Sequence, residues 1–233
     1  MKNLLRRMLF GAAVLLASAY GGAWAQGPVV VGKAYSEVYH TRQATATEVT
    51  YCSATAIGPR ALLTATHCEL GTGEITLQGK DDAPDTKLKV DREIRDDADH
   101  TILFVSSVDQ SGFVFPAFAS VDVSHKFGFG QDIFFIGNPH GFSNVFRKGY
   151  VAGHTVCTTP LGDSIPEILL ETHVGEGDSG AGIFDETGTL IGVVAGIEVH
   201  GVGEPSEFRM PYILALDFTA VQIKDALSYG AKK

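Results

Sequence analysis

Short segments in which apolar and polar residues alternate recur along most of the chain, and helical periodicity is nearly absent. Clusters of Gly, Pro and Asp separate these segments, as turns separate strands. Many short strands with turn signals between them are typical of β-barrels and β-sandwiches, so the chain is expected to be all-β. The poorly patterned segment 116–126 is the predicted link between two β halves. The predicted strands cover residues 47–51, 74–77, 87–90, 101–105, 132–136, 149–151, 167–172 and 190–195.

One segment near the C-terminus has the periodicity of a helix. Its apolar residues follow one another at spacings of four, three and four, which places them on one helix face. Asp217 is expected to cap the start of this helix. The residues of the apolar face are Leu216, Ala220, Ile223 and Leu227.

The first 25 residues are typical of an export signal. A positively charged start precedes an apolar run over residues 8–20, and Ala23-Trp24-Ala25 offers a cleavage site between small residues. A retained membrane anchor is the alternative, but an anchor needs about 20 apolar residues. We therefore expect a signal peptide at residues 1–25, cleavage near Ala25, and a mature protein that is periplasmic or secreted and not bound to a membrane. The basic residues of the start are Lys2, Arg6 and Arg7.

The chain carries 18 Lys and Arg against 27 Asp and Glu, a formal net charge of −9 at pH 7. Because affinity for nucleic acid comes largely from neutralising phosphates, an acidic chain without a basic stripe is not expected to bind nucleic acid. Export permits disulfides. A bond between Cys52 and Cys68 would constrain the unfolded chain and stabilise the folded protein by ~3 kcal/mol. The third cysteine, Cys157, lies on an alternating strand and is expected to be a buried apolar residue.

Two glycine-rich or small-residue segments contain side chains suited to nucleophilic catalysis. His67 ends the apolar segment 61–67 and stands beside Cys68, which can anchor it; a general base has to be held rigidly. Ser179 lies in the glycine-rich segment 175–182. Glycines there allow a sharp turn that exposes the hydroxyl and directs backbone N–H groups toward one point, where they could bind an oxyanion.

An acidic segment precedes the apolar strand predicted at 101–105. Asp99 adjoins that strand, where a carboxylate is easily buried and can orient a His and stabilise the imidazolium formed in catalysis. Asp96 and Asp97, further from the strand, are predicted to form a solvated turn.

The order His, Asp, Ser in an exported all-β chain resembles the trypsin/chymotrypsin-like serine peptidases. The segment 130–141, which ends in Asn138-Pro139-His140-Gly141, is similar to a strand and loop of the bacterial HtrA-type branch. Further matches lie at 190–194 and 210–213, so the resemblance covers most of the mature chain. The motifs that carry it are Thr64-Ala65-Thr66-His67-Cys68, Asp99-His100-Thr101-Ile102-Leu103 and Gly177-Asp178-Ser179-Gly180.

The resemblance implies one peptidase domain over residues 26–233. Its fold would be two perpendicular six-stranded β-barrels with a C-terminal helix, the first barrel over about 30–118 and the second over about 119–233. The active site would lie in the cleft between the barrels. A monomer is expected.

The resemblance also implies a mechanism and its residues. Peptide bonds of proteins or peptides would be hydrolysed through an acyl-enzyme, without a metal or cofactor. The implied roles are His67 as general base and acid, Asp99 as its orienting partner, Ser179 as nucleophile, the backbone N–H groups of Gly177 and Ser179 as oxyanion hole, and Cys52–Cys68 as a disulfide.

By the same resemblance, His173, six residues before the nucleophile, would form the floor of the primary substrate pocket. The strand beside the pocket would be Ala195-Gly196-Ile197, which is small and apolar. A lysine ammonium buried there without a counter-charge is costly, so a small or medium apolar side chain is expected. Selection of an acidic side chain by His173 or His200 stays open as the alternative, and selection of a basic side chain is the less favoured one.

The departures from the family pattern concern the C-terminal end and the activation step. The chain ends 54 residues after Ser179, which leaves no room for a peptide-binding PDZ domain. Activation by a freed terminus near Val30 that would pair with Asp178 stays an alternative, although no basic residue directly precedes Val30. Two other classes stay open as well: an inactive peptidase homologue that binds peptides or partners, and a metal-binding β-protein.

Overall fold

Twelve β-strands in the described part of the chain form two closed six-stranded barrels, with antiparallel pairing throughout both. The prediction of an all-β chain with two such barrels is confirmed. The predicted signal peptide and the side chains of Cys157 and His200 lie outside the described residues. The computed structural model describes residues 29–44, 49–70, 73–81, 83–142, 144–158, 164–200 and 208–231.

The N-terminal barrel closes in the strand order β1-β2-β3-β6-β5-β4. Its burial follows the alternation of the sequence: along β5, Leu88 and Val90 point into the core while Lys87 and Lys89 are exposed. The strands are β1 Val38–Ala44, β2 Val49–Gly58, β3 Ala61–Ala65, β4 Glu74–Leu77, β5 Thr86–Arg95 and β6 His100–Ser107.

The C-terminal barrel closes in the order β10-β11-β12-β9-β8-β7 and has a core of its own around Ile133, Phe135 and Ile183. The core of the N-terminal barrel extends onto it through Phe134 and Phe184, so the barrels share a packed interface. The strands are β7 Asp132–Gly137, β8 Val145–Thr158, β9 Ser164–Glu171, β10 Gly182–Phe184, β11 Leu190–His200 and β12 Phe208–Ala215.

The segment 108–131 joins the two barrels and contains the predicted link. The backbone N–H groups of Phe115 and Ala119 donate to carbonyls of the N-terminal barrel, at 2.8 Å each. Further along, Val121 forms an isolated bridge with Leu190 of β11. The link is therefore bonded to both halves.

Two α-helices flank the barrels in the described chain: α1, residues 29–37, and α2, Ala220–Ser228. The sequence did not indicate α1. The predicted cap of α2 at Asp217 is wrong, because Thr219 and Gln222 form a reciprocal capping box that sets the start two residues later. No helix among the described residues has the length and apolarity to span a membrane.

Candidate active site

His67 is held at the end of a fully buried strand. All five residues of β3 are buried, and a short 3-10 helix, Thr66–Cys68, follows directly and leaves the His67 side chain about half exposed. Cys68 is disulfide-bonded to Cys52 of β2, as predicted. The bond closes a short loop, worth ~3 kcal/mol of constraint on the unfolded chain, and fixes the backbone beside His67.

Asp99 lies against His67 and contacts it twice. The Nδ1 of His67 is 2.6 Å from one carboxylate oxygen of Asp99, and the backbone N–H of His67 donates to the other at 2.9 Å. The backbone N–H of Thr66 donates to the Asp99 carbonyl at 2.8 Å. The hydrogen bond with Asp99 raises the pKa of His67, while burial acts in the opposite direction. The two residues form a charge-stabilised pair that leaves Nε2 of His67 for chemistry.

Ser179 is bound through its backbone to the N-terminal barrel. The backbone N–H of Ser53 donates to the Ser179 carbonyl at 2.8 Å, and the Ser53 hydroxyl donates to the Gly177 carbonyl at 3.0 Å. The Ser179 carbonyl is also 3.7 Å from the sulfur of Cys68, the neighbour of His67. Ser179 therefore lies against the disulfide that holds His67. Among the described residues the Ser179 Oγ makes no hydrogen bond. The hydrogen bond between a nucleophile and its base is often long before substrate binds.

Two glycines of the Ser179 turn have positive φ and no room for a side chain. Gly177 has φ +97°, and a Cβ on it would lie 2.2 Å from the Asn138 carbonyl oxygen. Gly180 has φ +83°, and its Cβ would lie 2.1 Å from the carbonyl oxygen of Ser53. The glycines that the motif contains are therefore required by packing as well as by conformation.

The peptide group between Glu176 and Gly177 has a defined orientation. Its carbonyl accepts a hydrogen bond of 2.6 Å from the backbone N–H of His140, in the loop that follows β7. Because the C=O and N–H of a trans peptide point in opposite directions, the N–H of Gly177 points away from that loop. In the described structure neither this N–H nor that of Ser179 has an acceptor. Two free donors on one turn can bind an oxyanion.

Asp178, between these two donors, is completely buried and paired with Arg147 of β8. The backbone N–H of Gly175 donates to the same carboxylate at 2.8 Å. Burial raises the pKa of Asp178, whereas Gly175 and Arg147 oppose the rise. Arg147 supplies the positive charge next to Asp178 that a freed N-terminus would otherwise have to provide. Val30, the proposed new terminus, lies within α1. The structure therefore gives no support to activation through Val30.

A cavity of about 390 Å³ opens beside the His67–Asp99 pair. Of the predicted pocket residues, Ala195 lines it, whereas His173 and Ile197 are exposed. The Tyr212 ring packs over Gly196, where a Cβ would lie 2.9 Å from it, and fills the space beside this strand. The role of His173 as pocket floor stays a prediction. The cavity is lined by His67, Asp99, Ile165, Glu167, Ala195, Tyr212 and Leu214.

Several residues that shape the site were not predicted from the sequence. Ser53 bonds to Gly177, which lies 124 residues further along the chain. Arg147 bonds to Asp178, 31 residues further along. Glu167 and Tyr212 line the cavity from β9 and β12. Asp96, predicted to be solvated, has a side chain that is 1% exposed; the prediction is wrong for it, while Asp97 is exposed. No local pattern signals such contacts.

Comparison with known proteins agrees with this fold. A family model described as the trypsin-like peptidase domain matches residues 52–193. The active form of the Rv3671c protease from M. tuberculosis superposes with a TM-score of 0.64 and 20% identity, covering 91% of this chain and 87% of that chain. The HtrA-type protease AlgW with tripeptide gives 0.64 and 19%, covering 86% of this chain and 63% of AlgW. These structural matches concern the fold alone. No match was found among curated protein sequences.

The family match covers more than half of the chain and contains His67, Asp99 and Ser179. It includes strands of both barrels, from β2 to β11. The chain belongs to the trypsin-like peptidase family.

Proposed function

We propose that this chain is an exported serine endopeptidase that hydrolyses peptide bonds of protein or peptide substrates. The observation that carries the proposal is the pairing of His67 with Asp99 through Nδ1, at 2.6 Å, beside a turn whose Gly177 and Ser179 N–H groups have no acceptor among the described residues. The pair supplies a base held in one tautomer, and the turn supplies an anion site. Export rests on the predicted signal peptide and agrees with the Cys52–Cys68 disulfide.

The reaction follows from these roles. Ser179 Oγ attacks the substrate carbonyl carbon while His67 Nε2 takes the hydroxyl proton, and the N–H groups of Gly177 and Ser179 bind the oxyanion. His67 then returns the proton to the leaving amine as the C–N bond breaks, which leaves an ester on Ser179. Water attacks that ester while His67 takes its proton, and the C–O bond to Ser179 then breaks as His67 returns the proton to Ser179 Oγ and the acid product is released. No metal or cofactor is needed for these steps.

Substrate choice is proposed from the walls of the cleft. Ile165, Ala195 and Leu214 form an apolar part of the cavity beside His67, which favours apolar side chains of the substrate, while Glu167 adds a carboxylate to the same wall. A small or medium apolar residue before the scissile bond therefore remains the proposed preference. An acidic preference through His173 is the alternative, and cleavage of a peptide library distinguishes them.

A fluorophosphonate probe tests the function directly. The purified mature protein is expected to be labelled at Ser179, to cleave a denatured protein substrate, and to keep its activity in EDTA. Ser179→Ala serves as the control that abolishes labelling. Unlabelled protein that binds peptides would identify an inactive homologue, and activity lost to EDTA would identify a metal-dependent protein.

The pH dependence of kcat/KM is expected to report His67. Protonated His67 cannot accept the Ser179 proton, so activity should rise with pH through a single ionisation. The hydrogen bond with Asp99 raises the pKa of His67, so the midpoint should lie above ~6.5, the value of an ordinary imidazole. In Asp99→Asn the midpoint should fall, along with kcat. A wild-type midpoint at or below the ordinary value would contradict the pairing.

A further inference from the structure

Asp96 closes the loop that carries Asp99. The loop, residues 96–99, joins β5 to β6, and the Asp96 side chain folds back into it and is 1% exposed. One oxygen of its carboxylate accepts the backbone N–H groups of Ala98 at 2.9 Å and of His100 at 2.8 Å. These are the residues on either side of Asp99. The Asp99 backbone is therefore tied at both ends to a single oxygen atom.

The second oxygen of Asp96 anchors the loop to its surroundings. It accepts from Nδ1 of His100 at 2.7 Å and from the backbone N–H of Asp217 at 3.0 Å. The His100 side chain is also 1% exposed, and Asp217 belongs to the segment between β12 and α2. Burial opposes the charge of Asp96, but the hydrogen bonds from His100 and Asp217 outweigh it and lower the pKa of Asp96. A buried carboxylate with four donors is fully satisfied and rigid.

The backbone conformation of Asp99 needs the restraint that Asp96 provides. Asp99 has φ +62°, in the left-handed region that residues with a side chain seldom adopt. Such a conformation persists only where the surroundings determine it. In this conformation the Asp99 carboxylate makes both of its hydrogen bonds to His67.

We propose that Asp96 and His100 are positioning residues of the peptidase: they hold the Asp99 backbone so that its carboxylate stays aligned with His67. The inference rests on the proposed function, since it concerns the same site. Both side chains are buried. Their hydrogen bonds with one another and with the loop backbone restrain the position of Asp99. A displacement of a catalytic group by about 1 Å can cost ~10²-fold in rate.

The first test compares Asp96→Ala with Asp97→Ala, the same change at the exposed neighbour. Rates are expressed per active site after titration with the fluorophosphonate probe, so that misfolded molecules do not count. Asp96→Ala is expected to lower kcat about 10- to 100-fold with little change in KM. Asp97→Ala should leave both constants unchanged. Equal kcat values per active site in the two variants would overturn the proposal.

A second pair of variants serves if Asp96→Ala does not fold. His100→Leu removes the donor to Asp96, whereas His100→Asn keeps an N–H donor near the position of Nδ1. The proposal expects a kcat loss in His100→Leu and recovery of most of it in His100→Asn. The same kcat per active site in both variants would overturn it.

A titration of His67 by NMR separates alignment from general stability. Asp99 is the ionisable group bonded to His67, and Glu167 and Tyr212 face the same cavity; none of them changes in the Asp96 and Asp97 variants. In the Ser179→Ala background, Asp96→Ala should lower the His67 midpoint, because the hydrogen bond that raises it is lost, and Asp97→Ala should not. A reduced Tm with an unchanged midpoint would overturn the proposal. The titration needs no turnover, so it tests the positioning role even in a protein that hydrolyses nothing. Absence of hydrolysis by the wild-type protein would refute the proposed function instead.

Discussion

Replacement of Ser179 or of His67 by Ala is expected to lower kcat by about 10⁶ while the protein keeps its fold. In the proposed reaction Ser179 carries the attacking oxygen and His67 is its proton acceptor, and a serine hydroxyl is a weak nucleophile without such an acceptor. The backbone N–H groups of Gly177 and Ser179 remain in both variants. The small residual rate should therefore come from substrate binding and oxyanion stabilisation.

The double variant Ser179→Ala with His67→Ala is the sharper measurement. If the two side chains act in one proton transfer, the double variant should be hardly slower than either single one. Single-turnover rates on one peptide substrate, with circular dichroism as the control for folding, decide this. Losses that multiply would show that the residues do not act as a unit.

Replacement of Arg147 by Met is expected to destabilise the protein by about 3–5 kcal/mol, a large part of a typical net stability of ~5–15 kcal/mol. The reason is that Asp178 is completely buried and would lose its counter-charge. Asp178 stands between the two proposed oxyanion donors, so kcat should fall as well, by ~10²-fold or more. Urea unfolding in the Ser179→Ala background measures the stability without self-digestion.

The neighbouring residue supplies a matched control. Lys148 also pairs with an aspartate, Asp132, but both side chains are more than half exposed. Lys148→Met should therefore cost less than about 1 kcal/mol. The double variant Arg147→Met with Asp178→Asn removes both buried charges and should recover part of the lost stability. Equal losses for Arg147→Met and Lys148→Met would show that the buried pair has no special role.

The strands were predictable where burial follows a period of two, as along β5, and where a short run is apolar throughout, as in β6. β1 was not, because His40 and Thr41 are buried polar residues and break the expected alternation. The C-terminal helix was recognised from its period, yet its start was misplaced. A capping box depends on the side chains of Thr219 and Gln222 together, whereas the prediction considered Asp217 alone.

The candidate site divides in the same way. His67 and Ser179 were identified because each needs a local setting that the chain encodes nearby: a buried strand with a cysteine for His67, and two glycines for the turn of Ser179. The cavity walls were predicted less well. Tyr212 and Glu167 come from strands that meet at the cavity only after the barrel has closed.

The amino-acid sequence by itself determined the β class, the terminal helix, the three candidate catalytic residues and the cysteine pair, because each depends on a local pattern or a recurring motif. Tertiary structure alone decided which charges are buried. Asp96 and Asp97 are adjacent and chemically identical, yet Asp96 is buried on four donors and Asp97 is in water. The donors to Asp96 include the backbone of Asp217, 121 residues away. Burial of a charge depends on partners from distant segments, and those partners meet only in the folded chain.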